Sequence, residues 1–167
     1  PSAHDDPVDY SRYNCGRQLM IRDLTVSDIP RLMEIAHVMH SESVYSEYAL
    51  NEGRSEYVLN TLLTAPSVFS KGAEVDGLLV GVFFGEVNVD IWAEVQVARD
   101  IVFYVLPEHR ASGQGVRLIK SFYAWSAGSS DEVVLSVYAG VSNKLTSAIL
   151  SRMGYEDAGT IHKKRAA

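Results

Sequence analysis

At 167 residues, 47% hydrophobic and 22% charged, the chain has the length and composition of one globular domain with a sizeable core. Its net charge of −6, from 15 basic and 21 acidic residues, argues against a nucleic-acid binder, which would concentrate positive charge against phosphates. No apolar run approaches the roughly 20 residues that cross a bilayer, and the single cysteine, Cys15, excludes both an intrachain disulfide and a cysteine-built zinc site.

Residues 1–18 lack apolar periodicity and read as an arm with Tyr10 and Tyr13 as its large anchors, a contact that would suit a homodimer. The polar N-terminus shows no secretory signal, so a cytosolic location is expected. Residues 19–167 then read as one domain. Leu19–Leu24 is a first strand, and Thr25 or Ser27 can cap a helix whose apolar stripe is Ile29, Leu32, Met33, Ala36 and Met39. His37 and His40 share that helix, but no matched carboxylate makes them a metal pair, and no metal is expected. After a tyrosine-containing connection with Glu42, Glu47 and Glu52, residues 54–63 predict a second helix with Tyr57, Val58, Thr61 and Leu62 on one side.

Phe69–Val75 and Leu78–Val87 predict strands joined by an Asp76-Gly77 hairpin turn, with Gly81 and Gly85 hinting at a bulge or close backbone approach. Residues 88–97 read as a connection. Ile101–Leu106 is a fourth strand, stopped by Pro107. Arg110-Ala111-Ser112-Gly113-Gln114-Gly115 follows, and then a helix carrying Leu118, Ile119, Phe122 and Trp125 at helical spacing. Glu132–Tyr138 predicts a fifth strand, Ser142 caps a helix closed by Gly154, and Tyr155–Asp157 and Thr160–Lys163 read as two short final strands. The order β-α-α-β-β-β-α-β-α-β-β implies an α/β fold with a mixed sheet of about seven strands and helices on both faces.

The strand, glycine turn and helix start around residues 101–125 form an anion-binding geometry, because the first turn of a helix offers unpaired N–H groups and the positive end of its dipole. No Gly-Lys-Ser/Thr ends the turn, which excludes the nucleotide-hydrolase phosphate loop, and no Gly-x-Gly-x-x-Gly follows an early strand. Arg-x-x-Gly-x-Gly after Val105-Leu106-Pro107 resembles the acetyl-CoA motif of the GNAT superfamily of N-acetyltransferases. Met20–Leu24 with Ser27-Asp28-Ile29, the Asp76–Gly81 hairpin, and Ser142-Asn143 through Met153-Gly154-Tyr155 are similar to other pieces of that family, in the same order.

The resemblance implies a GNAT-like fold and acetyl transfer from acetyl-CoA to an amine acceptor, with neither nucleic acid nor membrane as partner. Backbone groups around Tyr104 and Val105 would pair with the pantetheine arm as an added strand. Backbone amides from Arg110, Ala111, Ser112, Gly113, Gln114 and Gly115 would cradle the pyrophosphate, and Asn143 stands where the family often touches the cofactor. The family's usual general acid, a tyrosine seven residues after the asparagine, is here Leu150. Tyr138 and Tyr155 are the substitutes, and Asp100, Glu94 and Glu86 the candidate bases. The missing acid keeps open an alternative, an acyl-CoA-binding regulatory module without turnover. A third reading, an interaction protein, would use the N-terminal arm as its contact.

Overall fold

The computed structural model describes residues 18–137 and 143–164. The N-terminal arm, apart from Gln18, lies outside these residues, as does Tyr138. Among the described residues five strands form one sheet in sequence order: β1 (Leu19–Asp23), β2 (Phe69–Val75), β3 (Leu78–Val89), β4 (Gln96–Val105) and β5 (Glu132–Val134). All neighbours are antiparallel except β4 and β5, which run parallel. A parallel pair needs a crossover, and helix α3 (Gln114–Ser126) supplies it. Helices α1 (Ile29–Glu42) and α2 (Glu52–Thr64) precede β2, and α4 (Asn143–Arg152) follows β5.

Alternation along β3 explains the two layers. Gly81, Phe83 and Gly85 face α3: the Phe83 and Phe122 rings stack at 4.5 Å between centroids. A Cβ on Gly85 would lie 2.4 Å from the Phe122 ring, so only glycine lets α3 settle this close to the strand. Val80, Val82 and Phe84 turn to the opposite face, where α1 buries Leu32 and Ile35. The side chains of Phe69, Phe83, Phe122 and Trp125 continue the α3-side core as one aromatic cluster.

Most predicted elements form, with informative differences. The α1 stripe includes Ile35 rather than Ile29 as a fully buried position. In α2 the half-buried side runs through Leu59, Leu62 and Leu63, whereas Tyr57 is 71% exposed, because the helix lies on α1 rather than on the sheet. The expected connection 88–97 narrows to residues 90–95, since β3 and β4 pair out to Val89↔Gln96. The prediction of about seven strands is corrected to five among the described residues: Tyr155–Asp157 and Thr160–Lys163 are irregular. Short polar segments without an apolar alternation gave those two strands no face to bury. The observed order is therefore β-α-α-β-β-β-α-β-α, in a mixed sheet with helices on both faces.

Candidate functional site

Three features meet at the C-terminal half of β4. The first is the loop behind it. Pro107–Ser112 winds as a 3-10 turn, and Gly113 takes a left-handed conformation, φ +78°, as the N-cap of α3. This φ is costly for any residue with a Cβ. It turns the chain so that Gln114, Gly115 and Val116 begin the helix with amides that have no acceptor within it. Gly115 packs on β4, its Cβ position 3.4 Å from the Phe103 ring. The Gln114 side chain is fully buried on the stripe of Leu118 and Phe122, so only its backbone amide is offered to the loop.

The second feature is an open strand edge. Leu106 N–H donates to the Val80 carbonyl at 2.9 Å, which fixes the direction of every backbone group in the rungs before it. Tyr104 and Val102 turn their N–H and C=O groups to β3, and Phe103 and Val105 turn theirs the other way. On that side, among the described residues, β5 pairs only with Val97–Arg99 and ends at Val134. Beyond this point β4 and β5 part. The Val105 carbonyl on the open edge accepts the Arg110 Nε at 3.0 Å.

The third feature is at the fork itself. Between Val102↔Phe84 and Asp100↔Gly85 the register slips, so β4 carries one extra residue, Ile101, as a bulge. Next to it Asp100 Oδ1 accepts the Ser136 backbone N–H at 2.6 Å. Burial raises the Asp100 pKa, while hydrogen bonds from Ser136 and from its own amide oppose the rise. Asp100, Phe103, Ile119, Leu135, Ser136, Thr146 and Leu150 line a small recess between the parted strands, α3 and α4.

A strand edge opened by a bulge and a fork, beside a helix N-terminus, can receive an extended acyl-thioester chain ending in phosphates. No protein-family model matches the sequence, and no curated protein matches it. Solved structures do. An aminoglycoside N-acetyltransferase, AAC(6')-Iy, in complex with CoA aligns with TM-score 0.71 at 16% identity, over 90% of this chain and 96% of its own. A ribosomal-protein-alanine N-acetyltransferase from Brucella melitensis biovar Abortus 2308 aligns with TM-score 0.66 at 17% identity, over 89% and 99%. The aminoglycoside 6'-N-acetyltransferase AAC(6')-Ih from Acinetobacter baumannii aligns with TM-score 0.68 at 15% identity, over 90% and 99%. The chain has the GNAT acetyltransferase fold.

Within this GNAT fold the sequence-derived residues fall into groups. Arg110, Ala111, Ser112, Gly113, Gln114 and Gly115 do sit on the loop and helix start beside the open edge. Arg110, however, turns its guanidinium to Glu42, at the end of α1, and to the Val105 carbonyl. Tyr104 also donates its hydroxyl to Glu42, and the guanidinium lies 5.3 Å over its ring. Burial and then the Glu42 carboxylate push the Tyr104 phenol up, and the hydrogen bond from Arg110 chiefly holds Glu42 low, so Glu42 stays ionised. Asn143 begins α4, and Tyr138 lies outside the described residues.

The carboxylates separate by place. Glu94 lies in the β3–β4 hairpin tip, seven residues and roughly 20 Å along the strand from the Ile101 bulge. Glu86 pairs with Arg99, one rung from Asp100, and by alternation faces the α1 side. Tyr155 follows α4 with its hydroxyl buried, and burial, then the neighbouring Tyr123, raises its pKa. Leu150 is buried in the core and also lines the recess.

The α1–α2 connection borders the same end of the sheet. His40 Nε2 bonds to the Tyr48 carbonyl at 2.7 Å, and His37 Nε2 lies 3.2 Å from Glu52, so both histidines tie down the connection. Lys163, in the irregular C-terminal stretch, reaches over the Tyr45 ring at 4.6 Å and donates to the Val44 carbonyl. Phe103, the Ile101 bulge and Ser136 escaped the sequence reading. Pairing direction and strand departure are long-range outcomes, and a lone Asp at the head of an apolar strand was their only trace.

Proposed function

We propose that the protein is an acyl-CoA-dependent N-acetyltransferase that passes the acetyl group of acetyl-CoA directly to an amine in a ternary complex. The observation that carries this reading is the open β4 edge at Phe103 and Val105, next to the first-turn amides of α3. The pantetheine arm pairs along that edge as an extra strand, and the amides of Gly113, Gln114, Gly115 and Val116 hold the pyrophosphate. Acetyl-CoA supplies the activated thioester, with its carbonyl set against a β4 amide near the bulge as the oxyanion donor.

The cofactor arrives from the α3 side, so the amine approaches from the α1 face. A free alkyl amine has a pKa of about 10.4 and must lose a proton to attack. Of the candidate bases, Glu86 has the face and the rung for this, acting directly or through a water. Glu94 is too far along the hairpin, and the Asp100 carboxylate is occupied at the fork. The amine nitrogen then bonds the acetyl carbon, the C–S bond breaks, and the CoA thiolate leaves to be protonated by solvent. The acceptor is a cationic amine, in keeping with the net charge of −6. Aminoglycosides and N-terminal alanine peptides head the candidates, by likeness to the solved relatives.

The test is thiol release from acetyl-CoA with an aminoglycoside, an N-terminal alanine peptide and a polyamine as acceptors. Turnover with at least one is expected, and Glu86→Gln should lower kcat by about a hundredfold, the size of one general-base contribution. One observation favours a second reading. Leu150, apolar and buried in the recess where a phenol would serve as acid, suits a module that binds acyl-CoA without turnover. Tight acetyl-CoA binding with no thiol release from any amine would select it.

A further inference from the structure

Asp100 is an acidic residue at the head of an apolar strand stretch, half-buried, and committed to a backbone amide rather than to a cation. Its position is specific. The last β4–β5 rung is Arg99↔Val134, so Ser136 is where the parallel ladder would next bond a β4 carbonyl. The Asp100 carboxylate takes that amide instead, and interposes the length of a side chain between the strands. It also accepts from the Ser136 side chain and from its own amide. On its other flank stands the Ile101 bulge, where β4 slips against β3.

We propose that Asp100 is a positioning residue that props the β4–β5 fork open and fixes where the thioester sits, and is not the general base. The inference rests on the acetyltransferase reading of the same site. A carboxylate whose oxygens are engaged at 2.6 Å and nearby has little capacity left to take a proton from the amine. A carboxylate that replaces a ladder bond stops β5 from zipping along β4 and closing the edge at Phe103 and Val105. The recess beside it, walled by Phe103, Ile119, Leu135 and Leu150, then stays available to the acyl end. The pyrophosphate grip on α3 lies at the other end of this edge and does not depend on Asp100.

The experiment compares wild type, Asp100→Asn and Asp100→Ala by thiol-release kinetics, acetyl-CoA calorimetry and the Ser136 amide signal in a ¹H–¹⁵N spectrum. Asparagine keeps an acceptor for Ser136 but cannot act as a base. Asp100→Ala should lose about tenfold or more in kcat, because the thioester is misplaced, with acetyl-CoA affinity held within about threefold. Asp100→Asn should recover kcat to within about threefold of wild type. The Ser136 amide should be shifted downfield and protected from exchange in wild type and Asp100→Asn, and lose both properties in Asp100→Ala. An asparagine variant as inactive as alanine would make Asp100 the base and overturn the proposal. So would an alanine variant with wild-type kcat, or a Ser136 amide that exchanges freely in wild type, a readout that stands even if the alanine variant fails to fold. Failure of the wild type to bind acetyl-CoA would instead overturn the acetyltransferase reading itself.

Discussion

Single side chains show how charge is used in this molecule. Arg22 on β1 joins Asp28, at the entry to α1, to Glu74 on β2, at 2.7 and 2.6 Å. The hydrogen bond from Arg22, ahead of the cost of burial, holds the Asp28 carboxyl at about 2 against an ordinary value of 3.8. A folded-state pKa below the unfolded one means the pairing stabilises the fold above about pH 4. That contribution is lost as pH falls from 4 through 2. At neutral pH it amounts to about 2 kcal/mol. Urea unfolding should therefore show Asp28→Asn less stable than wild type at pH 6, with the gap shrunk to about a third at pH 2.5. A gap that stays constant across that range would mean that Asp28 acts through packing alone. The Glu42–Arg110–Tyr104 cluster works differently. It commits the motif arginine to anchoring the end of α1 to the loop at residues 107–113, so on the proposed reading the pyrophosphate would be left to backbone amides.

At the scale of elements, the fork depends on α3 lying hard against β3. Gly85 permits this, because a Cβ there would meet Phe122 carbons at 2.4 and 2.9 Å and the Arg99 carbonyl oxygen at 3.0 Å. Gly85→Ala should cost about 1–3 kcal/mol by overpacking, read as a lower urea midpoint at an unchanged slope. A variant with wild-type stability would show that α3 shifts freely on the sheet. The same elements show what a sequence can reveal. The strand and hairpin at Phe69–Val75 and Asp76-Gly77, and the motif helix from Gln114, were legible because local pattern and turn chemistry decide them. The α2 face was misread, since Tyr57 and Leu59 carry the same periodic signal until the helix meets a neighbour. The last two strands were over-read from β-prone residues that have nothing to pair with among the described residues. The fork was invisible, because it arises from where β5 leaves β4 and no short motif encodes a departure.

For the molecule as a whole, one architecture serves two approaches. On the proposed reading, the α3 side offers amides and an open strand edge to a phosphate-bearing thioester. The amine, on the same reading, approaches from the α1 side, bordered by the connection at residues 43–51 and by the C-terminal stretch that reaches it through Lys163. The net charge of −6 would repel a CoA polyanion at long range, so the local helix-start field must prevail at the loop. That places the burden of the functional reading on Gly113 and the amides after it.

The most direct measurement is calorimetric titration of acetyl-CoA into the wild type and Gly113→Glu. Glutamate at φ +78° costs about 1–2 kcal/mol of backbone strain and sets a carboxylate at the helix start. The variant should remain folded yet lose acetyl-CoA affinity by at least about tenfold, while the wild type binds one equivalent. A folded wild type that takes up no acetyl-CoA, or a Gly113→Glu variant that binds it as tightly as wild type, would contradict the placement of the cofactor on this loop.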